Sequence, residues 1–261
     1  MTTYIKSITR RGYSHQSCQD ATFAFQNEEY IFAAAFDGCS EVIDSHFASN
    51  LLKKAFKREV ELQIELEKNH LQNCSPEDIE DHKGIENIAI EILTNFFKKL
   101  DLIRIELNLT VNDLSSTCVL FFYDKILQEG IIYVFGDGYI KIDDKYFIID
   151  QENKPKYLPV YWKQIAYGES TLREFLKEYN QIWKIGEFSN VIISTDGLLT
   201  LKHPIEEQFI GISRFTENIE VNEKKRIHFE TFFEKIYNSL TNEGWIHNDD
   251  LGLVRIYNDN E

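Results

Sequence analysis

Residues 30–36, YIFAAAF, form an unbroken apolar run that ends on Asp37-Gly38. A run this short and this apolar reads as a strand buried on both faces. A polar break at 26–29 separates it from the apolar residues of 21–25, so 21–36 is read as a hairpin. Beyond the hairpin the pattern becomes helical. Phe47, Leu51, Leu52, Ala55 and Phe56 recur at helical spacing within 45–70. Ser75-Pro76-Glu77-Asp78 reads as a helix start, and Ile88, Ile92, Leu93, Phe96 and Leu100 mark a second helix over 85–107. The two are expected to pair antiparallel.

Strand patterns resume at 116–123, 130–135, 139–142, 146–150 and 191–194, a helix at 226–240 and a closing strand at 250–257. Between them, residues 151–190 hold Pro155, Pro159, Trp162 and Trp183 around a short helix near 171–179, and are read as a flap-like insertion. Strands, two helices, strands, then a helix and a strand do not alternate as βαβ units do. The order favours two packed sheets flanked by helices, in a single domain over 1–261.

Asp and Glu total 43 against 28 Lys and Arg, a formal charge of −15, which opposes nucleic-acid binding in the absence of a basic patch. No apolar run approaches the ~20 residues that cross a bilayer, and the opening MTTYIKSITRRG lacks the apolar stretch of a signal peptide. A cytoplasmic location and no membrane contact are expected. Cys18, Cys39, Cys74 and Cys118 show no CxxC pairing and read as small buried hydrophobes. Neither GxxxxGK[ST] nor GxGxxG occurs, so there is no nucleotide-binding glycine loop.

Asp-Gly occurs three times, as Asp37-Gly38, Asp137-Gly138 and Asp196-Gly197, each time after an apolar run. Asp137-Gly138 lies between two strands and reads equally well as a tight hairpin turn. Asp37 and Asp196 are followed by loop or helix, and a carboxylate at the end of a buried strand is held rigidly. Mg²⁺ and Mn²⁺ favour such oxygen donors, and a neighbouring glycine lets a backbone carbonyl approach an ion. Gln19-Asp20 before the first strand of the hairpin and Asp249-Asp250 before the last strand extend the acidic set.

The order Gly12, Cys18-Gln19-Asp20, Phe36-Asp37-Gly38, Ser115-Ser116-Thr117, Gly136-Asp137-Gly138, Ser194-Thr195-Asp196-Gly197-Leu198 and Asp249-Asp250 resembles the ordered motifs of the type-2C (PPM-type) protein serine/threonine phosphatases, in a bacterial-like version. Each motif alone is weak, whereas the ordered set is specific and spans nearly the whole chain. The resemblance implies an α+β four-layer sandwich, with two central, mostly antiparallel sheets flanked by antiparallel helix pairs. It also implies a metal site at one end, holding two Mn²⁺ or Mg²⁺ ions. Asp37 would bridge them, the Gly38 carbonyl would serve one, and Asp196 and Asp249 the other. Asp137 stands at the position of a third, weaker ion. Gln19 stands where many members have Glu, so it would act through water with Asp20 sharing its role.

The implied reaction is hydrolysis of phosphoserine or phosphothreonine on a protein by a water activated between two metals, with Asp37, Asp196 and Asp249 catalytic and no phosphoenzyme. A cysteine phosphatase would need a thiolate in a donor-rich loop with an Arg, and no cysteine here has that setting. Two places depart from the pattern. His15 stands where the family often carries a phosphate-gripping Arg, without that residue's bidentate fork. Cys39 stands where some members have a His that protonates the leaving group. These departures leave two alternatives open: a catalytically weak or inactive pseudophosphatase that binds a phosphoprotein, and a hydrolase of small phosphoesters. The implied partners are a phosphoprotein and a cognate Ser/Thr kinase.

Overall fold

The computed structural model describes residues 2–39, 45–73, 83–151, 157, 168–203, 205 and 229–259. Two five-stranded sheets lie at its centre. The first contains β2 (Ala21–Gln26), β3 (Tyr30–Gly38), β4 (Ser116–Asp124), β5 (Glu129–Phe135) and β8 (Ile182–Ile185), in the order β2-β3-β4-β5-β8. The second contains β1 (Thr2–Arg10), β6 (Gly138–Ile142), β7 (Lys145–Ile149), β9 (Asn190–Ser194) and β12 (Leu251–Asp259), in the order β1-β12-β9-β6-β7. Every described ladder is antiparallel. A small ribbon pairs β10 (Leu201–Lys202) with β11 (Ile246–His247).

Alternation along each strand builds the layers, because successive side chains point to opposite faces. Ile31, Ala33, Val119, Phe121, Ile132 and Val134 of the first sheet meet Ile140, Val191, Ile193, Val254 and Ile256 of the second in a dry inter-sheet core. The intervening Phe32, Ala34, Phe36, Leu120, Phe122 and Phe135 face outward and are covered by helices α1 (Ser45–Asn73) and α2 (Ile85–Glu106). These helices run antiparallel. Lys83, just before α2, lies 3.9 Å from Glu67, Gln63 bonds Glu91 and Phe56 meets Phe96, so positions descend on α1 as they rise on α2. On the other side, Ile236 and Leu240 of helix α4 (Phe229–Asn242) cover Ile8, Tyr139, Ile192 and Leu253 of the second sheet. The result is the four-layer α+β sandwich that the motif resemblance implies.

Three segments differ from the sequence reading. Thr2–Arg10 and Ile182–Ile185 are strands at the edges of the two sheets, where one side of the ladder is unpaired and the apolar pattern is weak. The second half of the stretch read as an insertion is integral to the sandwich: helix α3 (Glu169–Glu178) buries Leu172 and Leu176, and Trp183 of β8 packs on Phe147. Pro155, Pro159, Trp162 and the helix start at 75–78 lie outside the described residues, as do Cys74 and most of 204–228. Finally, β5 and β6 belong to different sheets, so Asp137-Gly138 is a crossing between layers and not a hairpin turn.

Among the described residues no helix is long and apolar enough to cross a membrane. Phe56 sits at the centre of the helix-side core, with ring centroids 5.7 Å from Phe23, 6.1 Å from Phe36, 5.7 Å from Phe96 and 5.8 Å from Phe122. Truncating a buried Phe costs about 3–5 kcal/mol, so Phe56→Ala should lower the melting temperature by roughly 10 °C in a chain of this size. Leu102 of α2, 54% exposed, is the control. Leu102→Ala should shift the melt by no more than about 2 °C, and equal shifts in the two variants would refute this assignment of the core.

Candidate active site

Asp37 is the penultimate residue of β3 and shares the face of Ile31 and Ala33, so the strand's own alternation aims it into the gap between the sheets. The β2–β3 register pairs Ala21 with Phe36, and the Gly38 amide donates to the Gln19 carbonyl at 3.2 Å. That pairing puts Asp20 opposite Asp37 on the same face. The two carboxyls act directly on each other, and the charge of Asp37 raises Asp20. Thr195 donates its hydroxyl to Asp20 Oδ2 at 2.7 Å and accepts the Gly252 amide at 2.9 Å, tying the acid to the second sheet. Oδ1 of Asp20 is buried and has no hydrogen-bond donor among the described residues. Thr117, in the register position across from Asp37, reaches its Oδ2 at 3.5 Å.

The second sheet supplies Asp196 and Asp249. Asp196 opens a short 3-10 helix, Asp196–Thr200, directly after β9. Gly197 must be glycine for steric reasons: a Cβ there would lie 1.6 Å from the Asp250 carbonyl oxygen. This contact seats the helix against the entrance of β12. Thr200 Oγ1 accepts the Asp249 amide at 3.1 Å, and Asp249 Oδ1 accepts the Asp250 amide at 2.8 Å.

Asp250 is fully buried and serves the backbone. Its two oxygens accept the amides of Gly12 and Gln19, each at 2.5 Å. His15 Nδ1 lies 2.9 Å from Asp250 Oδ2 and 3.6 Å from Asp249 Oδ1, a close contact without hydrogen-bond alignment. Asp250 therefore clamps the segment between β1 and β2 to the end of β12. Asp137 lies where the chain crosses between sheets, after Gly136 at φ +90°, a value that suits glycine. Its Oδ1 accepts the Gln151 amide at 2.8 Å.

Electrostatics bind these acids into one cluster. Burial, then the charges of Asp196 and Asp249, hold the Asp37 carboxyl well above the usual carboxylate range. Burial and then Asp37 do the same to Asp20. Burial, then Asp249 and Asp137, push Asp196 up to about 7. Asp137 is raised by burial, against the opposing Gln151 hydrogen bond. Each of these groups resists ionising because its neighbours are acids in a dry site.

A hard divalent cation suits this donor set. The donors are all oxygen, one buried oxygen lacks a donor, and the raised carboxyls would ionise beside positive charge. Among the described residues no three Asp, Glu, His or Cys side chains are placed so that they could hold a metal ion together. Asp20, Asp37, Asp196 and Asp249 influence one another electrostatically at one end of the sandwich, and Asp137 acts on Asp196. Gln19 joins through its backbone, and His15 lies against the Asp249-Asp250 pair. The sequence reading assigned no role to Thr195, Thr117, Thr200 or the clamp at Asp250. Thr117, Thr195 and Asp250 lie in motifs visible in the chain, but contacts between a hydroxyl and an acid from another sheet are not.

The family model for protein phosphatase 2C matches residues 9–253. No curated protein matches the chain in sequence. Among solved structures, the fold is similar to a bacterial serine phosphatase at TM-score 0.59 and 12% identity, covering 100% of this chain and 99% of that one. It is also similar to the serine/threonine phosphatase of S. agalactiae, at TM-score 0.57 and 12% identity, covering 99% and 100%. RsbX in complex with magnesium matches at TM-score 0.52 and 12% identity, covering 98% and 94%. At these identities the structures establish the fold alone. The family model spans all but the two ends of the sequence, and the chain belongs to the protein phosphatase 2C family.

Proposed function

We propose that the protein hydrolyses phosphoserine or phosphothreonine on a protein substrate, using Mn²⁺ or Mg²⁺. The observation that carries this reading is the pair of buried Asp20 and half-buried Asp37, the latter under the charges of Asp196 and Asp249, in a chain of this family. Asp37 and the Gly38 carbonyl would hold one ion, and Asp37, Asp196 and Asp249 a second. Asp137 would serve a third, with Gln19 and Asp20 supporting the first. Bound ions would supply positive charge at the phosphoryl oxygens and lower the pKa of an attacking water. The magnesium complex of RsbX, a protein of similar fold, supports this choice of ion.

The chain's own groups favour hydrolysis by water over attack by a side chain. Burial raises the thiols of Cys118 and Cys18, which disfavours a thiolate at either, and Cys39 is buried beside the site. With Nδ1 turned to Asp250, His15 has only Nε2 to offer a phosphate oxygen. Cys39 stands where a His would donate to the leaving alkoxide, and because its thiol is buried that proton would come from solvent. The substrate is a phosphoprotein, and the kinase that modifies it is the implied counterpart.

A phosphoprotein-binding pseudophosphatase is the second reading, favoured by Cys39 and by the engagement of His15 with Asp250. Turnover decides between the two. With Mn²⁺ and a phosphothreonine peptide, Asp37→Asn or Asp196→Asn should lower kcat/KM by at least about 100-fold while leaving the circular dichroism spectrum unchanged. Wild-type turnover in either variant would refute the ligand assignment, and no turnover by wild type would favour the binding module. Preference for an aryl phosphate over every peptide would favour the small-molecule hydrolase.

Protons and cations compete for these acids, which gives a test independent of substrate. Asp196 titrates at about 7 when folded and near 3.8 when unfolded. Between those values only the folded state holds the proton, so the associated stability is full below about pH 4 and is lost as pH rises through about 7, on the order of 4 kcal/mol. In chelator, the protein should melt several degrees higher at about pH 5.5 than at about pH 8. Asp196→Asn should raise the melt at about pH 8 and flatten the dependence. A metal-free melting temperature that climbs with pH over this interval would contradict the charge cluster.

A further inference from the structure

We infer that His247, held by Tyr237, is a positioning residue that sets the cation affinity of the acidic centre through the backbone of Asp249. The inference rests on the reading of Asp249 as a cation ligand. His247 closes β11 and is 5% exposed. Its Nδ1 lies 2.7 Å from the Asp249 carbonyl oxygen and its Nε2 lies 2.6 Å from the Tyr237 hydroxyl. A carbonyl oxygen only accepts, so Nδ1 carries the hydrogen in this contact. In the neutral ring Nε2 is then an acceptor, and the Tyr237 hydroxyl donates to it. The Asp249 carbonyl thereby fixes the tautomer, and the Tyr237 hydroxyl holds the other ring nitrogen in place.

Each end of this relay is fixed. Tyr237 lies on α4 with its ring edge-on to His247 at 5.5 Å, and the Arg10 guanidinium sits 5.3 Å from the Tyr237 ring centroid. The His247 backbone is paired with Leu201, just after the 3-10 helix that begins at Asp196, and its carbonyl accepts the Tyr13 amide at 3.0 Å. Asp249 is consequently held by its carbonyl through His247, by its amide through Thr200 and by Oδ1 through Asp250, while its side chain remains 36% exposed. Releasing the carbonyl frees the 247–250 turn to rotate, and the carboxylate loses the orientation in which it faces Asp37 and Asp196. Groups that orient a ligand in this way are worth about 10- to 100-fold in metal affinity.

The test is Mn²⁺ binding to the full chain, read by electron paramagnetic resonance of the free ion, with no substrate present. An Asn side chain can place a donor near the Nδ1 position, whereas Gln reaches toward Nε2 and leaves the Asp249 carbonyl without its donor. His247→Gln should weaken Mn²⁺ binding by about 10- to 100-fold. His247→Asn should recover most of that loss, and Tyr237→Phe should weaken binding by roughly 3- to 10-fold. A role in folding alone would move the metal-free melting temperature without ranking Asn above Gln in affinity. Wild-type affinity in His247→Gln, or in Tyr237→Phe should the His247 variants not fold, overturns the inference and leaves the proposed function standing. Absence of Mn²⁺ binding by wild type overturns both.

Discussion

The constraint on which the site depends is a pair of carboxyl groups, buried Asp20 and half-buried Asp37, opposite each other at the end of the gap between two sheets. Burial raises both, and the charges of Asp196 and Asp249 add to the load on Asp37. No Lys or Arg is among the principal influences on either acid. An isolated protein gains nothing from such a site, since buried acids without a counter-charge cost stability. On the proposed reading a bound cation supplies the opposite charge, and much of the surrounding structure keeps the acids from relaxing apart.

That restraint is largely backbone. The backbone of Asp37 is held in place, because β3 is a central strand flanked by β2 and β4, with its outward face under α1 and α2. The second sheet is registered to the first through Thr195, which joins Asp20 to Gly252, and through Asp250, which accepts amides from Gly12 and Gln19. Gly197 allows the 3-10 helix bearing Asp196 to pass against the Asp250 carbonyl. Hydrophobic packing defines the layers, and a few polar contacts at one end set how the layers are offset. The Asp249-Asp250 pair divides the labour: Asp250 holds backbone, leaving Asp249 with a partly exposed carboxylate.

Central strands and long helices were legible because their burial is one-sided or complete, so β3, β4 and β9 stand out as apolar runs and α1 and α2 as stripes. The edge strands were not. In β1, Lys6 and Arg10 interrupt the apolar pattern, and β8 is only four residues long. The acids of the site were legible as Asp-Gly pairs at strand ends, but which of them turn a hairpin was not. For Asp137 only the sheet order shows that β5 and β6 part company there. The clamp at Asp250 and the relay from Tyr237 through His247 join residues distant in sequence or separated by a turn. No local pattern encodes such contacts.

If the acidic cluster is a cation site held in a partly protonated state, then loading it must expel protons. Titrating the metal-free protein with Mn²⁺ at about pH 7, by calorimetry in two buffers of different ionisation enthalpy, counts them directly. Saturable binding should release about one proton or more per chain, because Asp20, Asp37 and Asp196 all hold protons more tightly than ordinary carboxyls. Asp20→Asn should reduce that number. Saturable binding without proton release, or no binding at all, would contradict the account.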